Sequence, residues 1–239
     1  MAPWNANLAF VLDVVRAIAF DLDNTLWDVE PVLARAEARL FAWLQTHYPR
    51  ITARLSLEDM KRAREELARR EPHNAHDFTY LRTAALAAHA REHGYEERIA
   101  ERAFEVFLAA RCEVTLFPDV PPGLARLKSR YALASLSNGN ADLARIGLNH
   151  LFSLSLNARQ IGAAKPARRC FERLAQELAL EPAQVLYVGD DPRLDVLAAR
   201  AAGLQTAWMN RRGHSWPAEL TPADLSVSDC TELAHALAP

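Results

Sequence analysis

The sequence predicts an α/β fold, a Rossmann-like parallel sheet core interrupted by an inserted α-helical bundle. Three observations lead there. A short apolar run, Val14 to Phe20 with one arginine, ends abruptly in Asp21 and Asp23, as a buried strand ends at the mouth of a sheet. The stretch from about 29 to 114 carries helical patterning with no strand signal between its helices. From Pro118 onward short apolar runs alternate with helical stretches, the pattern of a parallel sheet covered on both faces. The domain boundaries that follow are 1–28 plus 115–239 for the sheet and 29–114 for the insert.

Taken in order, Val32, Ala36, Leu40, Phe41, Leu44 and Tyr48 keep helical spacing until Pro49 stops the run. Ser56-Leu57-Glu58-Asp59 has the form of a capping box and opens a charged helix to about Arg70. A polar break at Pro72 to Asp77 precedes a helix from Phe78 to His93, with Gly94 placed to cap it. Ile99, Ala103, Val106, Phe107 and Ala110 mark a fourth helix. In the second half, helices are expected at 124–130, 142–146, 167–178, 194–202 and 232–237. Strands are expected at 131–136, 151–156, 185–188, 205–209 and 225–227.

Composition removes several functional classes. A net charge of -2 offers no electrostatic case for nucleic acid or an anionic membrane surface. Three cysteines, far apart and in no C-x-x-C pair, argue against a disulfide framework or a zinc site and suit a reducing cytoplasm. The apolar run Leu8 to Leu12 is broken by Asp13 and lacks a basic leader, so no signal peptide is expected. No apolar stretch approaches the roughly 20 residues that span a bilayer.

The acids are unevenly placed. Of 13 aspartates, six lie in two windows, 21, 23, 28 and 190, 191, 195. Asp21 and Asp23, two apart in extended chain, point to the same side. Two like charges at the end of a buried strand call for a cation, most simply a divalent metal. Lysine is rare, three against 25 arginines, yet Lys165 is kept before Pro166, and lysine is a compact charge that arginine does not replace in a tight anion site. Ser137-Asn138-Gly139 ends another strand with a hydroxyl and a glycine turn suited to an anion. Gly189-Asp190-Asp191 ends a third, with Asp195 four residues on.

In this order, at strand ends, these residues resemble the motifs of the haloacid dehalogenase superfamily, most of whose members are magnesium-dependent phosphatases. Asp21-Leu22-Asp23-Asn24-Thr25 matches the first motif, Ser137-Asn138-Gly139 the second, Lys165-Pro166 the third, and Gly189-Asp190-Asp191 with Asp195 the fourth. The resemblance spans the chain, helical cap included, with no departure at the catalytic positions. It implies that Asp21 is the nucleophile, forming an aspartyl-phosphate, and Asp23 the general acid and base. It further implies Mg2+ on Asp21, Asp190 and the main-chain carbonyl of Asp23. Thr25, Ser137, Asn138 and Lys165 would serve the phosphoryl group, with Asp195 orienting Lys165 and Asp191 holding metal-bound water.

The same motifs, with Trp27-Asp28 and the stretch His76-Asp77-Phe78-Thr79-Tyr80-Leu81-Arg82, look like bacterial phosphatases of flavin mononucleotide (FMN) and of 5-amino-6-(5-phosphoribitylamino)uracil. That likeness implies a small phosphorylated metabolite as partner and His76, Tyr80 and Arg82 as cap residues facing it. The alternatives are a broad-specificity sugar-phosphate, phosphoglycolate or nucleotide phosphatase, a phospho-accepting signalling domain, or a silent binding module. The motif order disfavours signalling, because receiver domains place their acidic pair after the first strand and carry no cap. Within the superfamily, Asp23 disfavours a dehalogenase, whose leaving halide needs no acid.

Overall fold

A computed structural model describes residues 14–237, so the Leu8 to Leu12 run and Asp13 lie outside the described residues. The chain divides into two units: Met1–Asp28, Thr115–Asn138 and Gly147–Pro239 form one, and Val29–Val114 with Gly139–Ile146 the other. No described helix is long and apolar enough to cross a membrane.

The first unit is built on six parallel strands, β1 (Ala17–Phe20), β2 (Ala132–Ser137), β3 (Leu154–Asn157), β4 (Val185–Gly189), β5 (Gln205–Met209) and β6 (Leu225–Val227). Their order across the sheet is β3-β2-β1-β4-β5-β6. β1 is central and buried on both faces, which is why its sequence is an unbroken apolar run rather than an alternation. Strand order reverses between β1 and β4, and in such sheets ligands bind beyond the carboxyl ends at that reversal. Asp21 follows β1 there and Asp190 follows β4, with the Asp21 N–H bonded to the Val188 carbonyl at 2.8 Å. β3 lies at the sheet edge and is only half-buried, so its apolar signal is weak and the strand sits later than 151–156.

In the helical unit, α1 (Val29–His47) buries Val32, Ala36, Leu40 and Leu44, one residue per turn. α2 (Leu57–Arg70) opens on a capping box: Ser56 Oγ accepts from the Asp59 N–H, and the Asp59 carboxylate accepts from the Ser56 N–H. α3 (Phe78–Glu92) is capped by the Asp77 side chain and followed by Gly94 at φ +74°, a conformation that favours glycine. α4 (Ile99–Arg111) adds Ala103, Phe107 and Ala110 to the shared core. The sequence reading puts 139–146 with the sheet, but this segment packs among the helices. Arg145 pairs with Glu105 at 2.5 and 3.1 Å, the Asp142 N–H reaches Cys112 Sγ, and Asn140 reaches Thr79.

The sheet unit completes itself with α5 (Val120–Lys128), α6 (Arg168–Glu177), α7, and α8 (Cys230–Leu237). α5 begins four residues before the expected 124, because Pro121 and Pro122 occupy its first turn, where the missing N–H costs nothing. α7 starts with wide turns over Pro192–Leu197, in which the Val196 N–H bonds to the Asp191 carbonyl five residues back, and tightens over Ala198–Ala201. α6 packs Phe171 and Leu174 against Ala19, Ala134 and Tyr187 on one face of the sheet.

Candidate active site

One turn of chain after β1 fixes the first two acids. Leu26 N–H bonds back to the Leu22 carbonyl at 2.8 Å and Asn24 N–H to the Trp27 carbonyl at 2.7 Å. Asn24 takes φ +61°, a left-handed conformation that asparagine tolerates. The turn leaves Asp21 buried at 7 % exposure and Asp23 half-exposed. Asp23 Oδ1 accepts a hydrogen bond from the indole N–H of the fully buried Trp27 at 2.9 Å. Thr25, also fully buried, donates from Oγ1 to Asp190 Oδ1 at 3.3 Å.

The turn is braced from outside. Arg211 donates from Nε to the Thr25 carbonyl at 2.6 Å, pairs through both terminal nitrogens with Asp119, each at 3.0 Å, and lies over the Phe117 ring. Trp27 bridges Leu116 in antiparallel fashion, and Phe117 N–H bonds to the Leu26 carbonyl at 3.0 Å.

Lys165 is the centre of charge. Its ammonium, 4 % exposed at the side chain, donates to Asp21 Oδ1 at 2.7 Å, Asp195 Oδ1 at 2.6 Å and the Tyr187 hydroxyl at 2.9 Å. All three of its protons are therefore placed. The Lys165 backbone is set by Asn138, whose side-chain oxygen accepts its N–H at 2.7 Å and whose amide donates to its carbonyl at 3.0 Å. Gly189 makes room for Asp195, since a Cβ there would lie 2.3 Å from the Asp195 carboxyl carbon. Ser137, at the end of β2, is buried.

The electrostatics fit a divalent cation. Asp21, Asp190 and Asp195 bring carboxylate oxygens within 4.8 Å of one another. Against three carboxylates stands one ammonium, so two negative charges are left over. Burial pushes the Asp21 carboxyl well up; Lys165 pulls it back, and Asp195 and Asp190 add to the rise. Asp190 is pushed up to about 6 by burial and then by Asp195. Burial works against the Lys165 charge, but Asp195 and Asp21 outweigh it and hold the ammonium well above the usual lysine range. Asp195 has both oxygens engaged, one by Lys165 and the other by the Asp191 N–H at 3.0 Å. Asp21 and Asp190 are thus the carboxylates left to face a metal ion.

Asp191 caps α7, its Oδ1 accepting from the N–H groups of Arg193 and Leu194 at 2.7 and 2.8 Å, as a carboxylate ahead of a helix does. Two residues of the helical unit are engaged elsewhere than expected. Arg82 is buried inside the helical unit, bidentate to Glu37 at 3.0 and 2.8 Å and 3.5 Å over the Phe107 ring, so its guanidinium is spent on the bundle. The Tyr80 hydroxyl donates to Glu71 at 2.7 Å, while His76 stays half-exposed and Phe78 is 48 % exposed. Trp27 enters the sequence reading only through the likeness to the flavin-pathway phosphatases, and Tyr187 and Arg211 do not enter it. Only Trp27, four residues from Asp23, carried a local signal; the others meet their partners across the sheet.

The comparisons place these observations among known proteins. A family model described as haloacid dehalogenase-like hydrolase matches residues 15–203. A 2-haloacid dehalogenase structure from Pseudomonas syringae pv. Tomato DC3000 is similar with TM-score 0.88 and 32% identity, covering 94% of this chain and 98% of that one. The 5-amino-6-(5-phospho-D-ribitylamino)uracil phosphatase YigB of Escherichia coli K12 is 27% identical over 87% of this chain and 90% of its own length. A phosphoserine phosphatase of Thermus thermophilus is 38% identical over 60% of each chain.

Proposed function

The chain belongs to the haloacid dehalogenase-like hydrolases, and within them we propose that it is a phosphatase that passes the phosphoryl group of a small metabolite to Asp21 and then to water. The observation that carries this reading is the second acid. Asp23 stands half-exposed beside buried Asp21, outside the Lys165 cluster and tied to Trp27. Cleavage of a phosphate ester expels an alkoxide that needs a proton, whereas a halide leaves without one. The likeness to a dehalogenase supports the hydrolase fold; the second acid supports the phosphatase.

In the proposed reaction an Asp21 oxygen attacks phosphorus and the bond from phosphorus to the ester oxygen breaks. The departing oxygen takes a proton from Asp23. Water then attacks the phosphoryl group, Asp23 recovers a proton from that water, and phosphate leaves Asp21. Lys165 holds the nucleophile in place before substrate arrives, and Ser137 with the Asn138 N–H receives phosphoryl oxygens. Asp21, Asp190 and the Asp23 carbonyl would hold a magnesium ion, which would supply the positive charge that lets an anionic nucleophile meet an anionic ester.

For the substrate we favour the broader class, phosphoglycolate, sugar phosphates or nucleotides, over FMN or 5-amino-6-(5-phosphoribitylamino)uracil. The flavin-pathway reading leans on likeness to YigB, while two of the three side chains expected to receive a flat ring, Tyr80 and Arg82, are engaged within the bundle. The test is a panel of these esters and a 2-haloacid, with and without Mg2+. Phosphate release that chelation abolishes and Mg2+ restores is expected, across several small esters. Halide release without phosphate release would overturn the phosphatase.

A further inference from the structure

We propose that Trp208 is a positioning residue for Asp190, holding its main chain so that the carboxylate meets a small divalent cation already aimed. This rests on the metal half of the reading above and not on which ester is cleaved. β4 ends at Gly189, which pairs in register with Trp208 on β5, and paired residues of neighbouring strands project to the same face. Asp190 lies one residue past that last pair. There the Trp208 indole N–H donates to the Asp190 main-chain carbonyl at 2.8 Å.

The indole is itself held. It is buried, it meets the Trp216 ring edge to face at 5.0 Å, and Trp216 donates from Nε1 to the Leu220 carbonyl at 3.0 Å. The carboxylate of Asp190 is tied to the same stretch of chain. Its Oδ1 accepts from Thr25 Oγ1 at 3.3 Å, and the Thr25 carbonyl accepts from Nε of Arg211, which follows β5. Asp190 is thus gripped at its carbonyl and at one carboxylate oxygen, and both grips lead back to the end of β5. Only the two side-chain torsions of an aspartate lie between carboxylate and backbone, so fixing the carbonyl narrows where the carboxylate points. Donors that orient a metal-binding side chain from behind commonly account for roughly 10–100-fold in affinity. Magnesium asks for near-ideal octahedral geometry whereas calcium accepts a looser shell, so the grip favours the smaller ion.

The experiment is Trp208→Phe, which keeps a ring against Trp216 and removes the N–H. Mn2+ is the probe, titrated without substrate and followed by the fall of its free electron paramagnetic resonance signal, with Ca2+ then added in competition. Wild type should bind Mn2+, and Asp190→Asn should abolish that binding. In Trp208→Phe the Mn2+ dissociation constant should rise about tenfold and that of Ca2+ less than about threefold. The Mg2+ concentration that half-activates ester cleavage should rise in step with Mn2+. An Mn2+ affinity within about twofold of wild type, or equal losses for the two ions, would overturn the proposal and mark Trp208 as packing only. If wild type binds no Mn2+, the metal site falls and the proposal with it. If it binds Mn2+ but releases phosphate from no ester, the phosphatase reading falls alone and the titration still decides on Trp208. Should Trp208→Phe not fold, 3-benzothienylalanine in place of Trp208, with sulfur where the N–H was and nearly the same outline, carries the same expectations.

Discussion

Two clusters of buried charge, one at the end of the sheet and one among the helices, obey different rules. In the helical unit Glu37 receives Arg82 and Arg64, and Arg82 also covers Phe107. Burial lowers Arg82 to about 10, which leaves its guanidinium charged at neutral pH. Beyond the carboxyl ends of the central strands, Asp21, Asp190 and Asp195 share one lysine, and two of the three acids are displaced toward neutrality. The first cluster is one positive charge over, two guanidiniums on one carboxylate. The second is two negative charges over, and that surplus of acid, rather than burial or ion pairing alone, separates a cation site from a structural device.

The sharpest way to break this contrast is Asp21→Asn. It keeps the shape and removes the attacking oxygen's charge, and turnover of an activated phosphate ester should fall at least roughly 10³-fold, about 4 kcal/mol. The thermal midpoint should fall little. Glu37→Gln should do the reverse. It strands Arg82 and costs about 2 kcal/mol of stability, less than a fully buried pair because solvent reaches Arg64 and Glu37. Urea titration checks the stability, and the same ester should still be turned over within about threefold.

A smaller effect sharpens the account of the aspartate-lysine cluster. Tyr187→Phe frees one proton of Lys165 and leaves the Leu136 carbonyl without the hydroxyl that now reaches it at 2.9 Å. A fall of about tenfold in kcat, on the order of 1.4 kcal/mol, is expected, with the sheet intact by circular dichroism. No change in kcat would show that Asp21 and Asp195 suffice to hold the ammonium.

The smallest effect belongs to the helices. His89 is buried in α3, and burial lowers its pKa, with Arg64 and His93 acting in the same sense and Glu92 against it. A histidine kept neutral in the folded state binds fewer protons than when unfolded, so its contribution is complete above the ordinary value near 6.5 and is lost as pH falls below it. Wild type minus His89→Leu should therefore show a stability difference that moves against wild type between about pH 7.5 and 5.5, measured by urea unfolding at each. A difference flat with pH would show that Glu92 cancels the burial.

How far the sequence disclosed all this depended on how local each cause is. β1 and β4 are legible because both faces are buried and the runs are purely apolar; β3 is not, because an edge strand keeps only part of that signal. The capping box at Ser56 is legible because it closes within three residues. The cap made by Asp191 is not legible because a carboxylate before a helix looks the same whether it caps or holds water. Arg82 is misread because Glu37 lies 45 residues away. The four motifs could be ordered from sequence, but Tyr187 reaches past Ala19 on the intervening strand to Leu136, a relation only the sheet register creates.

The antiparallel pairing of Trp27 with Leu116 bears on how such a molecule can be rebuilt. The chain leaves for the helices after Asp28 and returns at Thr115, and the pairing already holds those two ends side by side. What hangs between them is, for the sheet, a loop closed in advance, and the entropy of closing a loop grows only slowly with its length. The sheet unit is in effect a socket, into which inserts of other lengths and surfaces can be spliced at little cost to its own machinery. The socket has a second port, however: Gly139–Ile146 belongs to the helices through Arg145 and Glu105. An exchanged insert must bring its own partner for that segment, or the loop beside Asn138, and with it the seat of Lys165, goes slack.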